Sequence, residues 1–284
     1  MWNKKGLIYK VAGTEKLFKS HSHKPTLLVL NDRLRIYFGV RDSRKRTRTT
    51  YIETKLDDPS QILYIHDQPV LDIGKLGTFD DAGANVSCIV EKRGSLFMYY
   101  IGSKTSPPVP MRNSIGLAIS KDNGKTFARY ADGPIMDRIP NEPYFTVAPY
   151  VLVENGIWKM WYTSGTGWEV IDGRPEIKYH IKYAESLDGI NWRRDNINCI
   201  YPNNEYEITA RPFVTRVNGT YRMWYCYRNI EGFRTNAQKS YRIGYAESND
   251  GLDWERLDDR TGIDLSKEGW DSEMIAYPAL YKYK

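Results

Sequence analysis

The chain has 284 residues, a formal net charge of +6, and 13% aromatic residues that include 22 Tyr and 8 Trp. That length is enough to bury a large core, while 27% charged residues and the lack of any long apolar run exclude a helical membrane protein. Cys88, Cys199 and Cys226 are isolated, odd in number and without CxxC spacing, and MWNKKGLIYK has no signal-peptide run; we expect reduced thiols and a cytoplasmic protein.

The first strands are expected from Thr26 onward (TLLVLNDRLRIYFGV), preceded by a short strand at Gly6 to Val11. A basic run follows: Arg41, Arg44, Lys45, Arg46 and Arg48. With no interleaved aromatics it reads as a solvated hairpin, or as a rim that attracts an anionic substrate, rather than as a nucleic-acid surface. From Val86 the pattern becomes regular. Strands are expected at Val86 to Glu91, Leu96 to Gly102, Ser114 to Ser120 and Thr126 to Tyr130, with the hairpin turn Asp122-Asn123-Gly124 before the last.

This unit recurs. IGLAISKDNGKTF (Ile115 to Phe127), IKYAESLDGINW (Ile181 to Trp192) and IGYAESNDGLDW (Ile243 to Trp254) each follow an apolar-aromatic strand. The glycines that open those strands, Gly94, Gly156 and Gly219, are almost evenly spaced. A fixed period on this scale marks a repeat architecture. Tandem four-stranded antiparallel units are propeller blades. The expected fold is all-β, a single five-bladed β-propeller over residues 1–284, with blades starting near Thr26, Val86, Val147, Pro212 and Ile275 and the last blade incomplete in this chain. No stretch carries a sustained helical period.

An acid stands just ahead of each repeat's first strand: Asp80 and Asp81, Glu142, Glu207 and Glu273, each about one repeat length after the last. In blade one the place falls to His21 or His23. First strands line a propeller's axis, so the register points these carboxylates at one funnel. Glycoside hydrolysis needs such a set, one carboxyl protonated and another ionised, and crowding separates their pKa values. A single strand-start acid would more often pair with an arginine or with backbone; four in register favour chemistry. On this basis Asp81, Glu142 and Glu207 are the catalytic candidates.

Arg211 shares a strand face with Glu207 and serves either as a fork onto a substrate carboxylate or phosphate, or as a structural counter-ion; the two readings weigh equally. Arg228 and Arg112 are weaker candidates. His23, Asp80, Glu273 and Trp168 complete the substrate-binding set, although the Met-Trp-Tyr strands read chiefly as blade core. SKDNGKTF (Ser120 to Phe127) matches the Asp-box turn of sialidases, which is scaffold, and Arg138-Ile139-Pro140 reads as a chance match to their RIP motif. No zinc spacing, phosphate loop or dinucleotide fingerprint occurs, so neither metal nor cofactor is expected.

With these repeats and acids, the chain resembles the five-bladed propeller glycosidase superfamily that includes glycoside hydrolase families 43, 32 and 130. It is more similar still to the glycosidase-like proteins encoded among bacterial surface-polysaccharide biosynthesis genes. The resembling segments run from IYFGVRD (Ile36 to Asp42) through NEPYF (Asn141 to Phe145) to GWDSEMIAYP (Gly269 to Pro278). The resemblance implies an oligosaccharide or sugar-conjugate substrate, with no nucleic acid and no membrane span. It also implies Glu207 as general acid, Asp81 as base or nucleophile, and Glu142 as the tuning residue. Families 43 and 32 carry a catalytic aspartate in blade one, where this chain has Ser-His-Ser-His. Either the catalytic set is rotated by one blade, or the site does other chemistry, such as phosphorolysis or glycosyl transfer with a single acid. A non-catalytic carbohydrate-binding propeller is the reading from a different class.

Overall fold

The apolar-aromatic runs become strands buried on both faces. In the computed structural model, which describes residues 2–14 and 17–283, the strand Arg33–Arg41 is buried at seven successive positions. A central strand covered on both sides needs such a run rather than strict alternation.

Four four-stranded antiparallel sheets form. The first holds β1 (Ser20–Val29), β2 (Arg33–Arg41), β3 (Thr47–Lys55) and β4 (Ile62–Ile65); the second holds β5 (Gly83–Lys92), β6 (Ser95–Ser106), β7 (Val109–Ser120) and β8 (Ala128–Arg129). One parallel bridge, Thr47 to Gly83, joins the two. The third is β9 (Thr146–Glu154), β10 (Ile157–Ile171), β11 (Arg174–Ser186) and β12 (Asn198–Ile200), and the fourth is β13 (Glu207–Val217), β14 (Thr220–Asn229), β15 (Arg242–Ser248) and β16 (Glu255–Arg256). Each sheet runs in sequence order from first strand to fourth, as a propeller blade does. Helical structure among the described residues is confined to two 3-10 turns, Ala237–Lys239 and Asp258–Arg260.

By its internal contacts the chain divides into two compact units, one drawn from residues 5–135 and 279–284 and the other from 1–4 and 136–278. In the first, Tyr37, Met98, Tyr100 and Phe127 form one core cluster and Phe18, Leu34, Phe38 and Ile52 another. In the second, Trp161, Tyr183, Val214, Tyr221 and Tyr225 pack together, while Phe145, Tyr179 and Ile208 form a smaller cluster.

The Asp-box turns fasten neighbouring sheets. Ser120 Oγ donates to Asp122 Oδ1 at 2.6 Å, and the turn closes on Gly124 at φ +78°. Tyr37 of the preceding sheet donates to the Gly124 carbonyl at 2.7 Å, and Arg35 to that of Asn123 at 2.6 Å. The other unit repeats the arrangement: Gly251 sits at φ +82°, and Trp161 Nε1 donates to its carbonyl at 2.8 Å.

Three expectations are revised. Residues 6–11 form no strand: the Val11 amide donates to Ser22 Oγ at 3.1 Å, and Tyr9 and Val11 pack on the Phe18–Phe38 cluster. The basic run is not simply solvated, because Asp42 accepts Arg48 Nη1 at 2.7 Å and Arg46 Nε at 2.9 Å, and Arg48 is buried. The described residues of 275–283, where the last blade was expected, hold no strand; there the Ile275 amide reaches the Tyr241 carbonyl at 3.1 Å, and Tyr281 Oη the Leu56 carbonyl at 2.9 Å.

Candidate functional site

Three of the repeat-opening acids, Asp80, Glu142 and Glu207, are tied to a tyrosine or an arginine of their own repeat. Asp80, fully buried, accepts Tyr100 Oη at 2.9 Å and Arg129 Nε at 2.8 Å on Oδ2, and Thr78 Oγ1 at 2.9 Å on Oδ1. Glu142, also buried, accepts Tyr162 Oη at 2.9 and 3.0 Å on its two oxygens and Ser164 Oγ at 2.9 Å, with Arg194 at 3.4 Å. Burial and the adjacent carboxylate push the Tyr100 and Tyr162 phenols well above their ordinary range, so both remain donors.

Glu207 varies the theme. Its Oε1 accepts Arg256 Nη1 at 2.5 Å and the Asn203 amide at 3.1 Å. Tyr225, the counterpart of Tyr100 and Tyr162, donates instead to Asp258 at 2.6 Å, and Asp258 shares Arg256. Among the described residues nothing donates to Glu207 Oε2, whereas both oxygens of Asp80 and of Glu142 are engaged.

Asp80, not Asp81, is therefore the in-register partner of Glu142 and Glu207. Asp81 turns the other way, accepting the Gly77 amide at 2.9 Å with Lys104 at 3.7 Å. In the first sheet, His23 pairs with Gly39 as Asn85 pairs with Ile101 one repeat later, so neither histidine stands in the acid's place. One repeat before Asp80 and Tyr100, the corresponding positions are Phe18 and Phe38, both buried in one apolar cluster. There the carboxylate and phenol are replaced by two rings. His23 Nε2 lies 3.4 Å from Asn85 Nδ2, and the His21 and His23 rings are 5.5 Å apart. Glu273 is exposed beyond β16.

A second repeated feature lies inside the first strands, where each ladder slips: between His23 and Thr26, Val86 and Cys88, Val147 and Tyr150, and Ala210 and Phe213. In three of these bulges a residue before proline takes a left-handed φ: Lys24 at +57°, Ala148 at +50° and Arg211 at +55°; Tyr277, before Pro278, does so at +64°. Such a conformation costs a non-glycine residue about 1–3 kcal/mol and is concentrated at functional positions. The dipeptides Lys24-Pro25, Ala148-Pro149, Arg211-Pro212 and Tyr277-Pro278 were a sequence signal for it.

Around Arg211, the unit of residues 136–278 gathers groups that are far apart in sequence. Arg228 and Arg211 are both buried. Tyr179 and Tyr241 place their hydroxyls 3.3 Å apart, and the Tyr241 and Tyr277 rings lie 6.2 Å apart. Trp168 stands edge-on to Phe145 at 6.4 Å, partly buried against the Phe145–Tyr179 cluster. No three His, Cys, Asp or Glu side chains among the described residues gather into a metal-binding group, and the three cysteines are buried and form no disulfide among the described residues. Among the described residues no helix is long and apolar enough to cross a membrane.

Over its full length the chain is 34% identical to the uncharacterized protein Rv1502 of Mycobacterium tuberculosis (strain ATCC 25618 / H37Rv), covering 91% of that protein. It is also 29% identical over 168 residues to a 1,2-beta-oligomannan phosphorylase of a Thermoanaerobacter species (strain X514), a match spanning 55% of this chain and 51% of the phosphorylase. No protein-family model matches. Among solved structures, a glycoside hydrolase superposes with a TM-score of 0.68 at 17% identity, over 94% of this chain and 82% of that one. A thermostable family-43 glycoside hydrolase gives 0.60 at 17% identity (85% and 72%), and the family-32 beta-fructofuranosidase of Bombyx mori 0.57 at 14% (83% and 48%). These structural likenesses show a shared fold.

Proposed function

Because this chain belongs to one family with Rv1502 and has the fold of the family-43 and family-32 glycoside hydrolases, we propose that it is a glycosidase-like enzyme acting on an anionic saccharide in bacterial surface-polysaccharide metabolism. The observation that carries the reading is Glu207. Arg256 and the Asn203 amide hold its Oε1, and Oε2 is left to meet a substrate oxygen. An anchored carboxyl with one unbonded oxygen can exchange a proton with a substrate oxygen. Glu142, with both oxygens engaged, positions rather than reacts.

The test is product analysis with a panel of neutral and acidic oligosaccharides, comparing the wild type with Glu207→Gln. Loss of turnover in this variant, with folding retained, supports the reading; undiminished turnover overturns it. One observation favours a second reading, a saccharide-binding propeller or a phosphorylase that needs a single acid. Asp80 and Glu142 are held in the same way in successive repeats, as scaffold is. That leaves Glu207 alone among these three acids with an oxygen to which no described residue donates.

A further inference from the structure

We propose that Arg228 and Arg211, with the hydroxyls of Tyr179, Tyr241 and Tyr277, form the site that takes the acidic group of the saccharide, a carboxylate or a phosphate. This deepens the function proposed above and rests on it.

Arg228 is 5% exposed, and its Nε is buried without a hydrogen-bond partner. Nη1 donates to the Asn229 carbonyl at 2.7 Å. Among the described residues no carboxylate pairs with it. A guanidinium cannot shed its charge at ordinary pH, so burial without an anion is unfavourable. The Phe233 ring 3.5 Å away and the Tyr241 ring 5.2 Å away offset part of that cost. Glu176 is the nearby acid, but Arg234 takes it, while itself lying 4.1 Å over the same Phe233 ring. Arg228 Nε is left as a donor that no described residue satisfies.

The rest of the cluster consists of donors too. Arg211 is held in its left-handed bulge before Pro212, and its amide donates to Thr163 Oγ1 at 3.1 Å. Tyr277 lies within electrostatic reach of both guanidinium groups, yet burial and Tyr241 hold its phenol above the ordinary range, and burial does the same for Tyr179. The Arg228 guanidinium and the phenols of Tyr179 and Tyr241 bring donors together, and among the described residues no carboxylate pairs with Arg228. That set complements an oxyanion, whereas a neutral sugar would also call for carboxylate acceptors. A cavity of ≈ 220 Å³ lined in part by Phe233, Arg234 and Glu176 adjoins the stack.

The test measures binding of glucuronate, glucose and inorganic phosphate by calorimetry, in the wild type, Arg228→Gln, Arg228→Lys, Tyr241→Phe and the exposed control Arg193→Gln. We expect glucuronate or phosphate to bind the wild type and the control alike. Affinity should fall at least tenfold in Arg228→Gln and severalfold in Arg228→Lys and Tyr241→Phe. If Arg228→Gln does not fold, the other two variants carry the test, and oxyanion affinity unchanged in both overturns the proposal. So does a wild type that binds neither glucuronate nor phosphate. Glucuronate bound without phosphate identifies a sugar carboxylate, and phosphate bound without glucuronate identifies a phosphoryl group. Phosphate bound through Arg228 with no saccharide turned over keeps the site and sinks the enzymatic reading. Neutral saccharides turned over with no oxyanion bound does the reverse.

Discussion

Tyr162 donates its hydroxyl to both oxygens of Glu142, at 2.9 and 3.0 Å, and one repeat earlier Tyr100 donates to Asp80 at 2.9 Å. The pairs join the segment ahead of a sheet's first strand to the body of its second strand, and each has an arginine within ion-pairing distance, Arg194 and Arg129. Removing the carboxylate should therefore strand a buried cation and a buried phenol together. Glu142→Ala is expected to destabilise the protein by about 3–5 kcal/mol, the usual effect of breaking a buried pair. Glu142→Gln, which retains an acceptor for Tyr162, should cost about 1–2 kcal/mol. Urea denaturation of the two variants checks this, and an unchanged midpoint in Glu142→Ala would refute a structural role.

The same pairs show what the sequence could and could not disclose. Strand positions and turns were legible because Gly124 and Gly251 and the apolar runs before them recur with a fixed period. Asp80 and Asp81 are adjacent in the turn ahead of β5, and either keeps nearly the same spacing to the acids of the later repeats. Only the partners Tyr100 and Arg129 show which of the two is in register. Blade one hides its register for a related reason: two phenylalanines, Phe18 and Phe38, stand where the later repeats have the acid and the tyrosine, and the nearby histidines are the polar residues that the sequence shows there. The cluster of Tyr179, Tyr241 and Tyr277 joins three separate segments, and no local pattern announces such a contact.

Asp122 gives a pH dependence. Burial raises its pKa, but the hydroxyls of Ser120 and Thr126 and the amides of Thr126 and Lys125 outweigh that, bringing it from 3.8 down to about 2. The folded state thus binds this proton more weakly than the unfolded chain. The contribution is full above about pH 4 and is lost as the pH falls through about 2. Asp122→Asn should be less stable than the wild type at neutral pH, with the gap closing below about pH 3. Urea midpoints of both proteins at several pH values test this, and a gap that widens on acidification would contradict it.

Gly124 separates backbone strain from the fastening of the turn. A Cβ there would lie 2.2 Å from Tyr37 Oη, the group that donates to the Gly124 carbonyl, whereas a Cβ on Gly94, at φ +73°, would meet nothing within 4 Å. Gly94→Ala should cost only the left-handed strain, about 1–2 kcal/mol. Gly124→Ala should cost that and also displace Tyr37, adding about 1–3 kcal/mol for the buried groups left unpaired. Equal losses in the two variants, read as urea midpoints, would show that the Tyr37 contact contributes nothing.

Glu207 is where scaffold and chemistry diverge most sharply. Arg256 bridges it to Asp258, so Arg256→Gln leaves two acids without their cation and should lower stability and activity together. Glu207→Gln keeps an acceptor for Arg256 and the Asn203 amide but cannot deliver a proton. It should reduce kcat/KM about 10²–10⁴-fold, the range for a general acid, with only a small change in the unfolding midpoint. Steady-state kinetics and denaturation on the same preparation distinguish the roles. A rate that collapses while the fold holds assigns Glu207 to the reaction, and a fold that weakens while the rate per folded molecule holds assigns it to the scaffold with Asp80 and Glu142.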